Sequence, residues 1–117
     1  MIQPDQVFKT LKSPVGAPPH VVDWTVPSDL PYLQGHFPDQ PILPAIAIID
    51  ASTYLLQCAL EQPGLAVKAV ANAKFLSPIV PGTQVQIQMT AISEREWTID
   101  WLEAGSRREL ASLTLAL

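Results

Sequence analysis

Charge is scarce in this sequence: Asp, Glu, Lys and Arg make up only 15% of its 117 residues, against 48% hydrophobic. A chain this small has a high ratio of surface to volume and ordinarily needs more polar cover. The shortage therefore implies an oligomer that hides an apolar face. Basic residues are few, seven Lys and Arg spread along a chain of formal charge −4, so a nucleic-acid footprint, which needs clustered positive charge, is not expected. The single cysteine, Cys58, excludes an internal disulfide and lies in an apolar run where a buried, inert thiol is the default. Two histidines, His20 and His36, have no ligand spacing to Cys58, and no metal is expected. No Gly-x-Ser-x-Gly elbow marks a serine nucleophile. The longest apolar run, residues 42–60, is broken by Pro44, Asp50, Ser52, Thr53 and Gln57, short of the roughly 20 clean residues a membrane helix needs. No basic segment leads into an apolar one at the N-terminus, so no secretory signal is expected and a cytoplasmic location is the simplest.

Proline, in contrast, is plentiful: twelve residues that bracket apolar segments and read as rigid turns. No repeat, charge block or Gly/Ser linker divides the chain, and its length suits one domain over residues 1–117. Residues 6–12 fit a short helix or a strand. A strand is expected over residues 20–26, where β-branched side chains alternate, then a long ordered loop over residues 28–44. An apolar helix follows from Ala45 to Leu60, stopped by Pro63-Gly64; being apolar around most of its circumference, it reads as buried on several sides. Strands are expected over residues 67–75, 83–93, 96–104 and 109–117. In the second of these Val85, Ile87, Met89 and Ala91 alternate with Gln84, Gln86, Gln88 and Thr90, giving one buried and one wetter face. One buried helix beside a mostly antiparallel sheet is an α+β arrangement, satisfied by a sheet wrapped around the helix.

Two residues depart from a purely structural design. His36 stands in the proline-stiffened stretch Gly35-His36-Phe37-Pro38-Asp39-Gln40-Pro41-Ile42-Leu43-Pro44-Ala45, and Asp50 is an ionisable group inside the apolar helix, costly to bury without a partner. Each also has an ordinary explanation. His36 could be a loop histidine satisfied by a carbonyl. Asp50 could pair with Tyr54 or another polar side chain of the stripe Asp50, Thr53, Tyr54, Gln57 and Glu61, which share one helix face and could form its solvent edge.

The stretch resembles the motif G-H-F-P-x-x-P-[IVL]-[FLM]-P-G of the FabA/FabZ-type 3-hydroxyacyl-ACP dehydratases, which leads into a helix bearing Glu or Asp. Here the acid lies fourteen residues after the histidine, as in that family. A second segment, Lys74-Phe75-Leu76-Ser77-Pro78-Ile79-Val80-Pro81-Gly82, resembles the family's strand and turn R-F-x-x-P-V-x-P-G. The short chain and the Asp in place of Glu bring it nearest to the small ApeI-like dehydratases linked to aryl polyene pathways.

The resemblance implies a hotdog fold and elimination of water from a 3-hydroxyacyl thioester to give a trans-2-enoyl product. His36 would take the C2 proton, and Asp50 would position and protonate the leaving hydroxyl. The backbone N–H of Ala45, where the family has Gly, would polarise the thioester carbonyl. Phe37, Pro44, Tyr54 and Phe75 would line the acyl tunnel, with Tyr54 replacing the usual Gln one turn after the acid. The resemblance further implies no cofactor beyond the phosphopantetheine that carries the substrate, an acyl carrier protein or coenzyme A as partner, and a homodimer, or a pair with a related hotdog subunit, with sites shared between chains. Lys74 is a candidate for docking an acidic carrier. The competing readings are a hotdog thioesterase, disfavoured by the His-Phe-Pro motif, and a non-catalytic carrier-binding hotdog, which Ala45 and Tyr54 leave open.

Overall fold

The computed structural model describes residues 4–12, 20–33 and 41–117. A short helix α1 (Pro4–Val7) is followed by strand β1 (His20–Thr25), a 3-10 turn (Pro31–Leu33), the long helix α2 (Ala45–Ala59) and strands β2 (Ala69–Phe75), β3 (Gln84–Ala91), β4 (Glu96–Glu103) and β5 (Glu109–Ala116). All strand pairs are antiparallel in the order β1-β3-β4-β5-β2, which leaves β1 and β2 as edges.

Alternation decides which way each strand faces. His20, Val22 and Trp24 of β1, Val85, Ile87 and Met89 of β3, and Trp97, Ile99 and Trp101 of β4 are all buried. Their registers place them on one face, opposite one another across the ladders. In β5 both Leu110 and Ala111 are buried because the pairing with β4 shifts by one residue there, turning two successive side chains inward. Ala91 is an exception to the expected pattern: it is exposed, lying on the last residue of β3.

Helix α2 lays Ala47, Ile48, Ala51, Ser52, Leu55 and Leu56 on this face, the two-in-four spacing of a single helical stripe. Ser52 is fully buried because its hydroxyl accepts the indole N–H of Trp101 at 3.0 Å, tying helix to sheet through a satisfied polar pair. Beyond this stripe Asp50, Thr53, Tyr54 and Gln57 are half-buried, and only Ala45 and Ile46 of the helix are exposed. The helix ends where Glu61 adopts φ 54° and donates its N–H to Cys58, while Gln62 donates to Gln57 at 2.9 Å. This is the Schellman closure, which satisfies otherwise orphaned carbonyls. Among the described residues no helix is long and apolar enough to cross a membrane.

Strand β2 differs from the others in being exposed along all seven residues. Val70, Ala73 and Phe75 stand opposite Leu115, Leu113 and Ala111, so they continue the inward face of the sheet. Val70 and Phe75 are nevertheless among the exposed large hydrophobics.

Candidate active site

Asp50 sits in the second turn of α2, five positions on from Ala45 and so turned about 140° from it around the helix axis. It lines a cavity of about 400 Å³ with Val7, Phe8, Pro31, Tyr32, Thr53, Tyr54 and Gln57. The polar stripe read from the helix is therefore a cavity wall. Thr53 returns its hydroxyl to the Ile49 carbonyl at 2.9 Å, and Gln57 donates to the Leu65 carbonyl at 2.8 Å. Both are thereby committed to the backbone.

The partner of Asp50 is not Tyr54. Tyr32, in the 3-10 turn just before the His36 stretch, donates its phenol O–H to Oδ2 of Asp50 at 2.6 Å. Burial, then the hydrogen bond to Asp50 and its charge, push the Tyr32 phenol well above its ordinary value of 10.0. Burial, the Cys58 thiol and the Asp5 carboxylate also push Tyr54 up. Both phenols thus hold their protons at neutral pH. Beneath them Phe8, 1% exposed, stacks on Tyr32 (centroids 6.0 Å, planes 17° apart) and lies against Tyr54 at 5.9 Å.

The raised phenol of Tyr32 sets an alkaline limit. The folded chain keeps this proton more tightly than the unfolded chain, so its contribution is complete below about pH 10 and is lost as pH rises through the higher folded value. Denaturant titrations at increasing pH should show stability falling above pH ~10, with a shallower fall in Tyr32→Phe.

Ala45 opens α2. Pro44, extended at φ −73° and ψ 159°, provides no side-chain cap; its carbonyl receives the N–H groups of Ala47 and Ile48. Ala45 shares a second cavity of about 300 Å³ with Ile42, Leu43, Ile48, Phe75 and Leu76. The Leu43 N–H donates to the Ile79 carbonyl at 2.7 Å, so the two motif segments meet at the helix start. Pro44 is half-buried there. Lys74 is exposed and stands opposite Ser112, on the outer side of the sheet from Phe75. Of the residues singled out in the sequence, the fold thus brings Asp50 and Tyr54 to one cavity and Ala45 and Phe75 to another. His36 and Phe37 lie outside the described residues. Tyr32 and Phe8 were not anticipated; neither shares a helical or strand spacing with Asp50 that would have revealed it.

The family profile for the ApeI-like proteins, described as ApeI dehydratase, matches residues 15–112. The chain belongs to the ApeI-like dehydratase family. Among curated proteins it is similar to the 3-hydroxyacyl-[acyl-carrier-protein] dehydratase FabZ of Brucella ovis, with 35% identity over 72 residues covering 56% of this chain and 46% of that protein. FabZ of Pasteurella multocida is 36% identical over 72 residues, covering 56% and 47%. The chain thus spans about half the length of the curated relatives it matches. Among solved structures, the dehydratase heterocomplex ApeI:P from Xenorhabdus doucetiae superposes with a TM-score of 0.74 at 21% identity, covering 90% of this chain and 97% of that one. Mouse thioesterase superfamily member 2 reaches 0.72 at 15% identity, covering 95% and 83%. These likenesses show the fold, the α+β hotdog expected for an ApeI-like chain.

Proposed function

We propose that this ApeI-like protein dehydrates a 3-hydroxyacyl thioester, carried on the phosphopantetheine of an acyl carrier protein or coenzyme A, to the trans-2-enoyl thioester. The observation that carries this reading is Asp50: a half-buried carboxyl group, the one charged side chain of α2, held by one oxygen in a cavity lined by aromatic, aliphatic and uncharged polar side chains. Such a group is costly to a fold and suits proton handling. His36 removes the C2 proton, the charge that develops on the thioester oxygen is met by the Ala45 N–H at the helix start, and Asp50, entering the step protonated, gives its proton to the C3 hydroxyl as it leaves as water; His36 then releases the C2 proton to solvent and Asp50 takes one up for the next turnover. Phe37, Pro44, Tyr54 and Phe75 guide the acyl chain, and Lys74 is the candidate contact for an acidic carrier.

Within one protomer Ala45 and Asp50 open into different cavities, an arrangement that supports a site completed by a second chain. The apolar surface for that chain is available: Ile46, Phe75, Leu76 and Val80 are 55%, 44%, 54% and 45% exposed around the start of α2 and the end of β2. An unpaired edge with exposed apolar side chains invites strand addition or cover. We take the partner to be a second copy. Mixing inactive His36→Ala and Asp50→Asn chains should restore about a quarter of wild-type turnover, because statistical heterodimers hold one intact site of two. No recovery would sink the shared site; recovery only with a different hotdog subunit would place the second half there. The reaction itself is read by water addition to a crotonyl-type thioester, followed as loss of enoyl absorbance. Release of free thiol instead would make the protein a thioesterase.

A further inference from the structure

We infer that Tyr32 is a positioning residue for Asp50: its phenol takes one carboxylate oxygen and thereby dedicates the other to the substrate. This rests on the dehydratase reading above. A carboxylate on a helix turns about two side-chain torsions, and in an open cavity it would sample several rotamers. Here Oδ2 is held at 2.6 Å by a donor that keeps its proton, leaving Oδ1 for the reacting hydroxyl.

The donor is itself fixed from two directions. Its ring lies flat against Phe8 of the segment following α1, and its backbone is pinned because Leu33 donates to the Leu30 carbonyl at 3.0 Å and both leucine side chains are buried. Phe8 is in turn locked edge-on against Trp24, whose indole N–H donates to Thr10 at 2.7 Å. The N-terminal segment thus reaches the carboxylate through two aromatic rings, a route that no periodicity in α2 reveals. A carboxylate pre-oriented in this way meets the substrate without reorganising, the condition under which small displacements cost large factors in rate.

Tyr32→Phe removes one oxygen and keeps the stacked ring. Turnover should fall roughly 10- to 100-fold with KM within about a factor of two, and adding Tyr32→Phe to Asp50→Asn should cost nothing further, because the phenol acts through the carboxylate. An unchanged kcat in Tyr32→Phe, or a further loss on top of Asp50→Asn, would overturn the assignment. A second measurement is independent of turnover. The chain has two tyrosines, so in a Tyr54→Phe background tyrosinate absorbance reports Tyr32 alone. Adding Asp50→Asn should move its ionisation to lower pH, and an unmoved midpoint would overturn the pair. If the wild-type protein processes no hydroxyacyl or enoyl thioester, the dehydratase reading fails by itself, and this titration alone upholds or overturns the pairing.

Discussion

Asparagine at position 50 is expected to lower dehydration by about 10²- to 10⁴-fold, the range over which a positioned general acid or base contributes. The substitution preserves volume and the helix. The amide oxygen still accepts the Tyr32 phenol, so the cavity wall stays in place. On the proposed reading, what disappears is the ability to carry a proton to the leaving hydroxyl. Thermal unfolding should therefore move little while turnover collapses, and steady-state kinetics of crotonyl-thioester hydration beside a melting curve separates the two. Equal losses in both would mean that Asp50 serves the fold.

The largest effect on stability is expected at Trp101. Its side chain is fully buried, packs edge-on against Trp24 with ring centroids 6.0 Å apart, and donates to Ser52, the one buried hydroxyl of α2. Trp101→Ala should cost about 3–5 kcal/mol, by loss of buried ring and by the cavity left behind, and it also strands the Ser52 hydroxyl. Against a total of about 5–15 kcal/mol for a domain, that is a large fraction of all stability. Urea unfolding should show a lowered midpoint with an unchanged slope. Ser52→Ala, which orphans only the indole N–H, should cost about 1–3 kcal/mol. A Trp101→Ala chain as stable as wild type would mean that the helix does not depend on this tie.

The elements that could be read from the sequence are those whose burial follows a simple period. Gln84 to Thr90 alternate with apolar partners, and β3 faces as that alternation requires; the span Ala45 to Leu60 read between Pro44 and Pro63-Gly64 matches α2 to within a residue. Less could be read wherever a partner comes from elsewhere in the chain. The apolar circumference of α2 indicates burial on several sides but not which neighbours provide it: one stripe meets the sheet, and Asp50 and Tyr54 face Phe8 and Tyr32. Helical spacing points to Tyr54 for Asp50 because it lies one turn away, whereas the donor is eighteen residues distant in the sequence. Spacing rules describe neighbours on one element and are blind to a side chain delivered by another. The family motif supplied the acid itself, and the fold supplied its orientation.

The pairing of β2 with β5 contains a spare residue: Val70 stands opposite Leu115 and Asn72 opposite Thr114, so Ala71 has no counterpart. Counting along the strand, Val70 and Phe75 differ by an odd number and would point to opposite sides of a regular ladder. The extra residue cancels that parity and gathers them on one side. The strand is consequently indifferent to the error that a sheet tolerates least. Losing one residue from the middle of β4 would turn half of its buried side chains outward, whereas losing Ala71 leaves each remaining pair of β2 in step. The edge carries its own allowance for a one-residue deletion in evolution.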